Sequence, residues 1–269
     1  MGINMNSALS TRITSFKDNV ITLAPLMNGY VPSLRYILST MGQSNIEQTV
    51  QHKDLKLTFR RRDLTAVREI LQAGEYDFLA DIIKDKKEPF IYDLGAHIGL
   101  FAFRMLAVNP TAKIFSLEAS PATYEILEKN LAANKTACPN WVIKNGAAWK
   151  NNDHIKFAAS VENTMSHRVD KNGEVNVPGI TYKEIITQHS AQMPICVMKI
   201  DIEGAEEAFL CGADLDFSNV ENLIIELHPD HCDTTKVRAV LEKHFTIITE
   251  KHDPKLSKPL LLCQHGAAA

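Results

Sequence analysis

The fold of this chain is decided by one stretch of sequence, Asp93-Leu94-Gly95-Ala96-His97-Ile98-Gly99. An apolar run over residues 89–92 precedes it and an amphipathic run over residues 100–108 follows it, which predicts a strand, a glycine turn and a helix. The two glycines leave room for a ligand beside the free N–H groups of the helix N-terminus. The spacing differs from the G-x-G-x-x-G of pyrophosphate-binding turns, and the aspartate suits a cationic group. The turn therefore fits a small ligand that carries both an ammonium and a carboxylate.

From about residue 90 onward, apolar strands alternate with helical segments, a pattern typical of a parallel sheet with helical crossovers. The predicted strands are residues 90–94, 113–118, 141–144, 195–201 and 223–227, with two late strands at 245–249 and 260–263. The predicted helices are residues 98–108, 120–134, 181–189, 204–211 and 235–244. Short alternating runs divided by polar turns predict an antiparallel hairpin insertion over residues 151–178.

The first 75 residues lack this alternation and predict two or three helices, one of them over residues 64–72. We expect residues 1–75 to form an N-terminal helical extension that caps the ligand edge of the sheet, or else a dimerisation arm. Residues 76–265 are then one ligand-binding domain.

The composition excludes several classes of protein. Of 269 residues, 45% are hydrophobic and 23% are charged, with a net charge of −3, so neither nucleic acid nor an anionic membrane is an expected partner. No apolar run approaches the roughly 18 residues of a membrane span, and the N-terminus lacks the pattern of a signal peptide, which predicts a cytoplasmic location. The five cysteines include no C-x-x-C, so neither a disulfide framework nor a thiolate zinc site is expected.

Polar residues at the ends of the predicted strands are the candidates for chemistry, because open α/β sheets bind ligands there. Glu118 ends the second strand, close to the spacing of about 20 residues at which an acid binds ribose hydroxyls. The alternative is a solvated acid that caps the next helix. His97 either donates a hydrogen bond to the ligand or is simply a polar residue in a bent backbone, and both interpretations stay open.

The segment after the fourth strand, Lys199-Ile-Asp-Ile-Glu-Gly-Ala-Glu206, changes from apolar to acidic where a helix begins. Strand alternation puts Lys199 and Asp201 on one face, and Glu203 continues it. Asp201 is a candidate general base or substrate ligand. For Glu206 we favour a simple interaction with the helix N-terminus.

The fifth strand ends in Glu226-Leu-His228-Pro229. Glu226 needs a partner in so apolar a strand, and Lys199 is the candidate. His228 is a candidate proton acceptor because its ordinary pKa lies near neutrality. The fragment His228-x-x-His231-Cys232 lacks a helix to align it, and we predict no metal site. The candidate substrate contacts are Lys199, Glu226, Arg60 and Tyr76. Arg60 either belongs to a solvated basic run or holds an anionic group, and Tyr76 either covers the ligand or packs in the core.

These motifs, in this order, resemble those of the FkbM-type family of S-adenosylmethionine-dependent methyltransferases. The resemblance covers roughly residues 60–230 and rests on Asp93-Leu-Gly-Ala-His-Ile-Gly-Leu-Phe101, Phe115-Ser-Leu-Glu118, Asn145-Gly-Ala-Ala148, Lys199-Ile-Asp-Ile-Glu-Gly-Ala-Glu206 and Leu223-Ile-Ile-Glu-Leu-His228. It implies a Rossmann-like class I methyltransferase fold with a seven-stranded, mostly parallel sheet whose last strand is antiparallel.

The resemblance also implies S-adenosyl-L-methionine as cofactor, S-adenosyl-L-homocysteine as product, and a set of site residues. The implied cofactor residues are Asp93, Gly95, Ala96, His97, Gly99, Glu118, Ala119, Asn145, Gly146, Ala147 and Asp201. Asp201 and His228 are the candidate general bases, and Glu203 is expected to hold the methyl acceptor.

The acceptor itself stays open among a sugar hydroxyl, another natural-product hydroxyl and the asparagine side-chain amide of a ribosomally made peptide. The substrate is thus a small molecule, a glycan or a peptide, and a homodimer remains an option. Two remoter alternatives are an NAD-dependent oxidoreductase, which the missing third glycine disfavours, and a cofactor-binding module without catalysis.

Overall fold

The computed structural model describes residues 16–158, 168–169, 173, 175–189, 194–212, 215–251 and 258–266. The strands are β1 (Glu47–His52), β2 (Leu55–Arg60), β3 (Phe90–Leu94), β4 (Lys113–Glu118), β5 (Trp141–Asn145), β6 (Ala147–Ala148), β7 (His154–Ala158), β8 (Arg168–Val169), β9 (Val175–Ile180), β10 (Ile195–Ile200), β11 (Asn222–Glu226), β12 (Ile247–Lys251) and β13 (Leu260–Gln264). The helices are α1 (residues 16–23), α2 (Tyr30–Ser39), α3 (Leu64–Val67), α4 (Ala80–Ile83), α5 (Leu100–Val108), α6 (Pro121–Asn134), α7 (Tyr182–His189), α8 (Glu206–Leu210) and α9 (Thr234–His244).

A seven-stranded sheet in the order β12-β13-β11-β10-β3-β4-β5 forms the centre of the molecule. Neighbouring strands from β11 to β5 are parallel, whereas β13 is antiparallel to both β11 and β12. Every residue of β3 and β10 is buried, because helices cover both faces of a sheet of this kind. The seven-stranded sheet with one antiparallel strand near its edge is confirmed.

The insertion predicted at residues 151–178 is an antiparallel arrangement, as expected. β7 pairs antiparallel with both β8 and β9, and β9 pairs in parallel with the short β6. Within the predicted insertion, residues 159–167, 170–172 and 174 lie outside the described residues. The insertion thus attaches next to the end of β5, beside the edge where ligands of such sheets bind.

The N-terminal segment is only partly helical, and the prediction of an all-helical extension is wrong for residues 47–60. These residues form the hairpin β1–β2, whose register makes Lys53 and Asp54 the two turn residues, with Lys53 at a φ of +53°. Lys-Asp is not among the common two-residue hairpin turns, which explains why the sequence did not predict it. The predicted helix at 64–72 is confirmed as α3, followed by one π-helical turn over Arg68–Gln72.

The hairpin is held against the sheet domain by Asn130 of α6. The Asn130 Oδ1 atom accepts from the Thr58 amide at 2.6 Å, and its Nδ2 donates to the carbonyls of Thr58 and Ile98 at 2.9 and 2.8 Å. Leu57 and Phe59 of β2 belong to the same buried apolar cluster as Phe101 of α5. The N-terminal segment therefore completes one face of the central sheet. Among the described helices, none has the length and apolar character needed to cross a membrane.

Candidate active site

A cavity opens at the carboxyl ends of β3, β4, β5 and β10. Four groups of strand-end residues line it, together with α3, the π-helical turn and α5: Ala66, Ile70, Gly95, Ala96, His97, Phe101, Leu117, Glu118, Ala119, Gly146, Ala147, Ala148, Lys199, Asp201, Ile202, Glu203 and Ala205. Most of the predicted cofactor residues are in this set. Ala66 and Ile70 show that the segment before the sheet covers part of the ligand edge.

The glycine turn is built differently from the prediction. The N–H groups of Gly95 and Ala96 both donate to the carbonyl of Leu117 at 2.9 Å, so the sheet uses them rather than a ligand. Gly95 has a φ of +81°, and a Cβ there would lie 1.7 Å from the carbonyl oxygen of Asp201. Gly99, with a φ of +89°, makes room for Leu127 and does not line the cavity. The glycines therefore serve close packing of the backbone rather than access of the ligand to it.

Glu118 presents a buried carboxylate at the cavity wall. Its Oε2 accepts from the amide of His97 at 2.8 Å and its Oε1 from the amide of Ser120 at 2.7 Å. Burial raises the pKa of Glu118 to about 7, against the opposing effect of these two hydrogen bonds. The carboxylate is thus fixed in orientation, and its charge changes near neutral pH.

His97 lies in the left-handed region, with a φ of +53°, and faces Asp63. The His97 Nε2 atom is 3.5 Å from Asp63 Oδ1, and Arg60 donates to both carboxylate oxygens of Asp63. Burial opposes the charge on Asp63, but His97 and Arg60 lower its pKa below the usual range. The prediction that Arg60 binds a substrate anion is wrong, because its guanidinium donates to Asp63 and to the carbonyl of Ala122.

Lys199 joins the two central strands beneath the cavity. It lies opposite Asp93 in the β10–β3 register, with Nζ 3.2 Å from Asp93 Oδ1 and 3.5 Å from Asp201 Oδ2, and it donates to the carbonyl of Gly95 at 2.9 Å. Burial opposes its charge, but Asp93 and Asp201 raise the pKa of Lys199. Asp93 is fully buried and lies outside the cavity lining, so it supports the site through Lys199 rather than by contacting a ligand.

His228 is enclosed by three carboxylates. Its Nδ1 is 2.9 Å from Glu206, and its Nε2 is 3.2 Å from Glu203 and 3.8 Å from Asp201. Burial opposes the imidazolium, yet Glu203 and Glu206 raise the pKa of His228 to about 10. Glu206 also accepts from the amide of Gly204 at 3.1 Å. The prediction of a mere helix-terminus role for Glu206 missed its contact with His228.

The sequence suggested Lys199 as the partner of Glu226, but the structure does not pair these two side chains. Its nearest described cation is Lys258, whose Nζ is 3.6 Å from Glu226 Oε1 and 3.4 Å from Glu203 Oε2. Burial and the charge of Asp201 raise the pKa of Glu226 to about 9, and burial with Asp201 raises that of Glu75 to about 7. Several carboxyl groups therefore lie close together around Asp201 and Glu203. Lys258 is far from the motifs in sequence, so no local pattern pointed to it.

Two other predicted residues have internal roles. Asn145 donates to the carbonyls of Glu118 and Ala119 at 2.8 and 3.1 Å and lies outside the cavity lining, so it fixes the strand ends rather than binding the ligand. Tyr76 is buried against Phe101, with ring centroids 5.1 Å apart, which favours packing over the alternative that it covers the ligand.

This strand order, with its cavity at the carboxyl ends, defines a Rossmann-like class I methyltransferase fold. The family model described as "Methyltransferase FkbM domain" matches residues 93–249, more than half of the chain. The chain therefore belongs to the FkbM methyltransferase domain family, and the resemblance seen in the sequence is confirmed.

Curated relatives include two methyltransferases. Hexuronic acid methyltransferase AglP of Haloferax volcanii is 27% identical over 188 residues, which cover 67% of this chain and 75% of that protein. Methyltransferase sdnD of Sordaria araneosa is 45% identical over 58 residues, and the match spans only 22% of its length and 22% of this chain.

Solved structures that are similar to this chain include two at low identity. Aeropyrum pernix fibrillarin, with natively bound S-adenosyl-L-methionine, has a TM-score of 0.43 at 12% identity, covering 81% of this chain and 82% of its own. A predicted O-methyltransferase from Agrobacterium tumefaciens has a TM-score of 0.43 at 16% identity, covering 70% of this chain and 79% of its own. The fold class rests on the strand order described above.

Proposed function

We propose that this chain transfers a methyl group from S-adenosylmethionine to a hydroxyl of a sugar or related natural product. The single observation that carries the proposal is the cavity itself, which is lined by the fixed carboxylate of Glu118 and by an acidic group, Asp201 and Glu203, with His228 in contact with Glu203. Its chemistry fits the cofactor, because Glu118 suits two ribose hydroxyls and Leu117 with Ala147 suits an adenine ring.

S-adenosylmethionine supplies an electrophilic methyl group on a sulfonium. The protein must then orient the acceptor and remove its proton, because a hydroxyl is a poor nucleophile at neutral pH. Asp201 lines the cavity, and Lys199 and His228 lower its pKa despite its burial. We assign Asp201 as the proton acceptor, with Glu203 beside it to hold the substrate hydroxyl.

His228 suits a positioning role better than the base role expected from the sequence. Its side chain is 1% exposed, and the surrounding carboxylates keep it charged at neutral pH. An imidazolium has no free electron pair with which to accept a proton. His228 instead holds Asp201 and Glu203 at the cavity wall.

A sugar acceptor is favoured by the relative AglP, which is named a hexuronic acid methyltransferase and aligns with two thirds of this chain. The acidic end of the cavity favours a neutral hydroxyl over a carboxylate-bearing ring close to Asp201. An assay of methyl transfer should also include peptide amides and other hydroxyls as acceptors, since a base beside the methyl donor suits them as well.

The decisive experiment compares wild type with Asp201→Asn. Loss of the general base is expected to lower the turnover of an active acceptor by about 10²- to 10⁴-fold. The affinity for S-adenosylhomocysteine, measured by calorimetry, stays close to that of wild type. Asp230→Asn is the matched control, because Asp230 is an exposed acid in the neighbouring loop. Normal turnover by Asp201→Asn removes Asp201 as the base, and failure of wild type to bind S-adenosylhomocysteine removes the proposal.

A further inference from the structure

The groups around His228 converge in a way that the transfer of a proton does not require. Asp201, Glu203 and His228 each offer one ligand atom, and these atoms lie within 4.8 Å of one another. Two of them, Asp201 and Glu203, also line the cavity. The three residues come from the ends of adjacent strands β10 and β11, so the sheet fixes their relative positions.

The separations suit ligands of a single ion. Nε2 of His228 is 3.2 Å from Glu203 Oε2 and 3.8 Å from Asp201 Oδ1. Ligands bound at about 2.1 Å from one ion lie about 3 Å apart when adjacent and about 4.2 Å apart when opposite. Small side-chain rotations bring the three atoms onto one ion.

Two buried atoms in this group have no hydrogen bond within the part of the chain that the structure describes, an observation separate from the clustering of acids. His228 is 2% exposed, and its Nε2 has no described atom in hydrogen-bond geometry, although Glu203 is at ion-pair distance. Oδ1 of Asp201 is also buried without a hydrogen-bond partner among the described residues. Buried polar atoms are almost always satisfied, so these two atoms, 3.8 Å apart and both without good hydrogen-bond geometry, leave coordination capacity for a shared ligand.

Glu206 contacts the ring nitrogen of His228 that faces away from Asp201 and Glu203. Glu206 is fully buried and contacts Nδ1 at 2.9 Å, so Nδ1 donates to Glu206 and only Nε2, which faces Asp201 and Glu203, can exchange its proton for a metal ion. Metal-binding histidines commonly hydrogen-bond a carboxylate through the other ring nitrogen in this manner. Without a metal ion, the Nε2 proton of the imidazolium faces these carboxylate oxygens, and a divalent cation would take the place of that proton.

We propose that Asp201, Glu203 and His228 form a binding site for one divalent transition-metal ion at the acceptor end of the cavity. One nitrogen and two carboxylate ligands favour Mn²⁺, Fe²⁺ or Zn²⁺ over Ca²⁺. Lys258, which contacts Glu203 and Glu226 from outside the triad, supplies positive charge to these acids when the ion is absent. On the proposed function, such an ion lies where it can bind and acidify the acceptor hydroxyl.

The test is a titration of the metal-free full-length chain with Mn²⁺ alone, with free Mn²⁺ measured by electron paramagnetic resonance. We expect one ion per chain, and a Kd raised by about tenfold or more in Asp201→Asn, Glu203→Gln and His228→Gln. Asp230→Asn, the matched control, binds like wild type. Glu206→Gln weakens binding by about 10- to 100-fold, as expected for a residue that orients a ligand.

Two results overturn the site: no binding of Mn²⁺ by wild type, or binding that persists unchanged in Asp201→Asn and Glu203→Gln. If thermal unfolding shows that His228→Gln does not fold, Glu203→Gln decides the matter, because the Glu203 side chain is 21% exposed at the cavity wall. S-adenosylhomocysteine binding is measured separately without Mn²⁺. Failure of the metal site thus leaves that binding intact, whereas failure of the proposed function abolishes it.

Discussion

Glu118 is the residue whose charge the proposed function links most directly to the cofactor. Its two carboxylate oxygens are already oriented by backbone amides of His97 and Ser120. Its raised pKa, about 7, means that a large part of the ligand-free protein carries the neutral acid at neutral pH. Ribose hydroxyls donate to a carboxylate, so a ligand that binds there favours the ionised form.

We therefore expect the affinity for S-adenosylhomocysteine to rise with pH up to about 7 and to level off above it. The sign follows because ligand binding below that pKa must first remove a proton from Glu118. Glu118→Gln is expected to weaken binding by about 10- to 100-fold and to remove this pH dependence. Calorimetry from pH 5.5 to about 8.5 measures both effects.

The matched control for this prediction is Glu128→Gln, which removes an exposed carboxylate from helix α6. It keeps the pH profile of wild type. A profile that persists in Glu118→Gln assigns the titration to another group.

Single side chains also show where the sequence was sufficient and where it was not. Glu118 and Asp201 were predictable, because a residue at the end of a parallel strand faces the ligand edge wherever the chain goes next. The roles of Arg60 and Asn145 were not predictable, because they depend on which hydrogen-bond acceptor lies beside each side chain in the fold. Arg60 binds Asp63 only three residues away, and that choice follows from the burial of both side chains rather than from a motif.

Among the elements, the turn after β3 is packed so closely that no residue larger than glycine fits at position 95. The end of β10 passes directly over Gly95, with the Asp201 amide donating to the carbonyl of Leu94 at 3.0 Å. The pattern of residues 93–99 predicted strand, turn and helix correctly. It did not show that the turn amides are used by β4, because that depends on which strand lies next to β3.

Gly95→Ala is expected to destabilise the protein by more than about 3 kcal/mol, because its Cβ would collide with the backbone of Asp201. Gly42→Ala is the matched control: Gly42 has a similar φ of +77°, but no atom lies within 4 Å of the added Cβ. Its cost is about 1 kcal/mol, from the backbone conformation alone. Urea unfolding measures both, and equal losses would show that packing against Asp201 is unimportant.

The β1–β2 hairpin illustrates the opposite limit of sequence reasoning. Its buried side chains pack on α5 and α6, and Asn130 ties its backbone to the carbonyl of Ile98 at the start of the glycine-turn helix. The stability of an isolated two-stranded hairpin is marginal in water, so these contacts with distant elements decide its conformation. A window of local sequence contains none of them.

At the scale of the whole molecule, residues before the sheet and residues of the sheet share one buried apolar cluster. Ile37, Phe59, Phe101 and Leu127 all belong to it. We propose that residues 16–75 fold as part of the catalytic unit rather than as a separate arm. Ala66 and Ile70 then connect this unit's stability to the contents of the cavity.

Ligand binding is therefore expected to stabilise the entire chain. S-adenosylhomocysteine at about 100 times its Kd raises the free energy of unfolding by about 2.7 kcal/mol, and NAD at the same concentration has no comparable effect. Thermal unfolding monitored by circular dichroism measures the difference. Stabilisation by NAD alone would favour the oxidoreductase alternative instead.

The hydrogen-bond chain beneath the cavity has one more consequence. Trp141 donates to Ser116 at 3.0 Å, and Ser116 in turn contacts Asp93, the partner of Lys199. The only other tryptophan of the chain, Trp149, lines a groove that shares Glu203 with the cavity wall. Trp141 thus belongs to the network beneath the cavity and Trp149 to a groove that adjoins it, so we expect ligand binding to change the natural fluorescence of this protein.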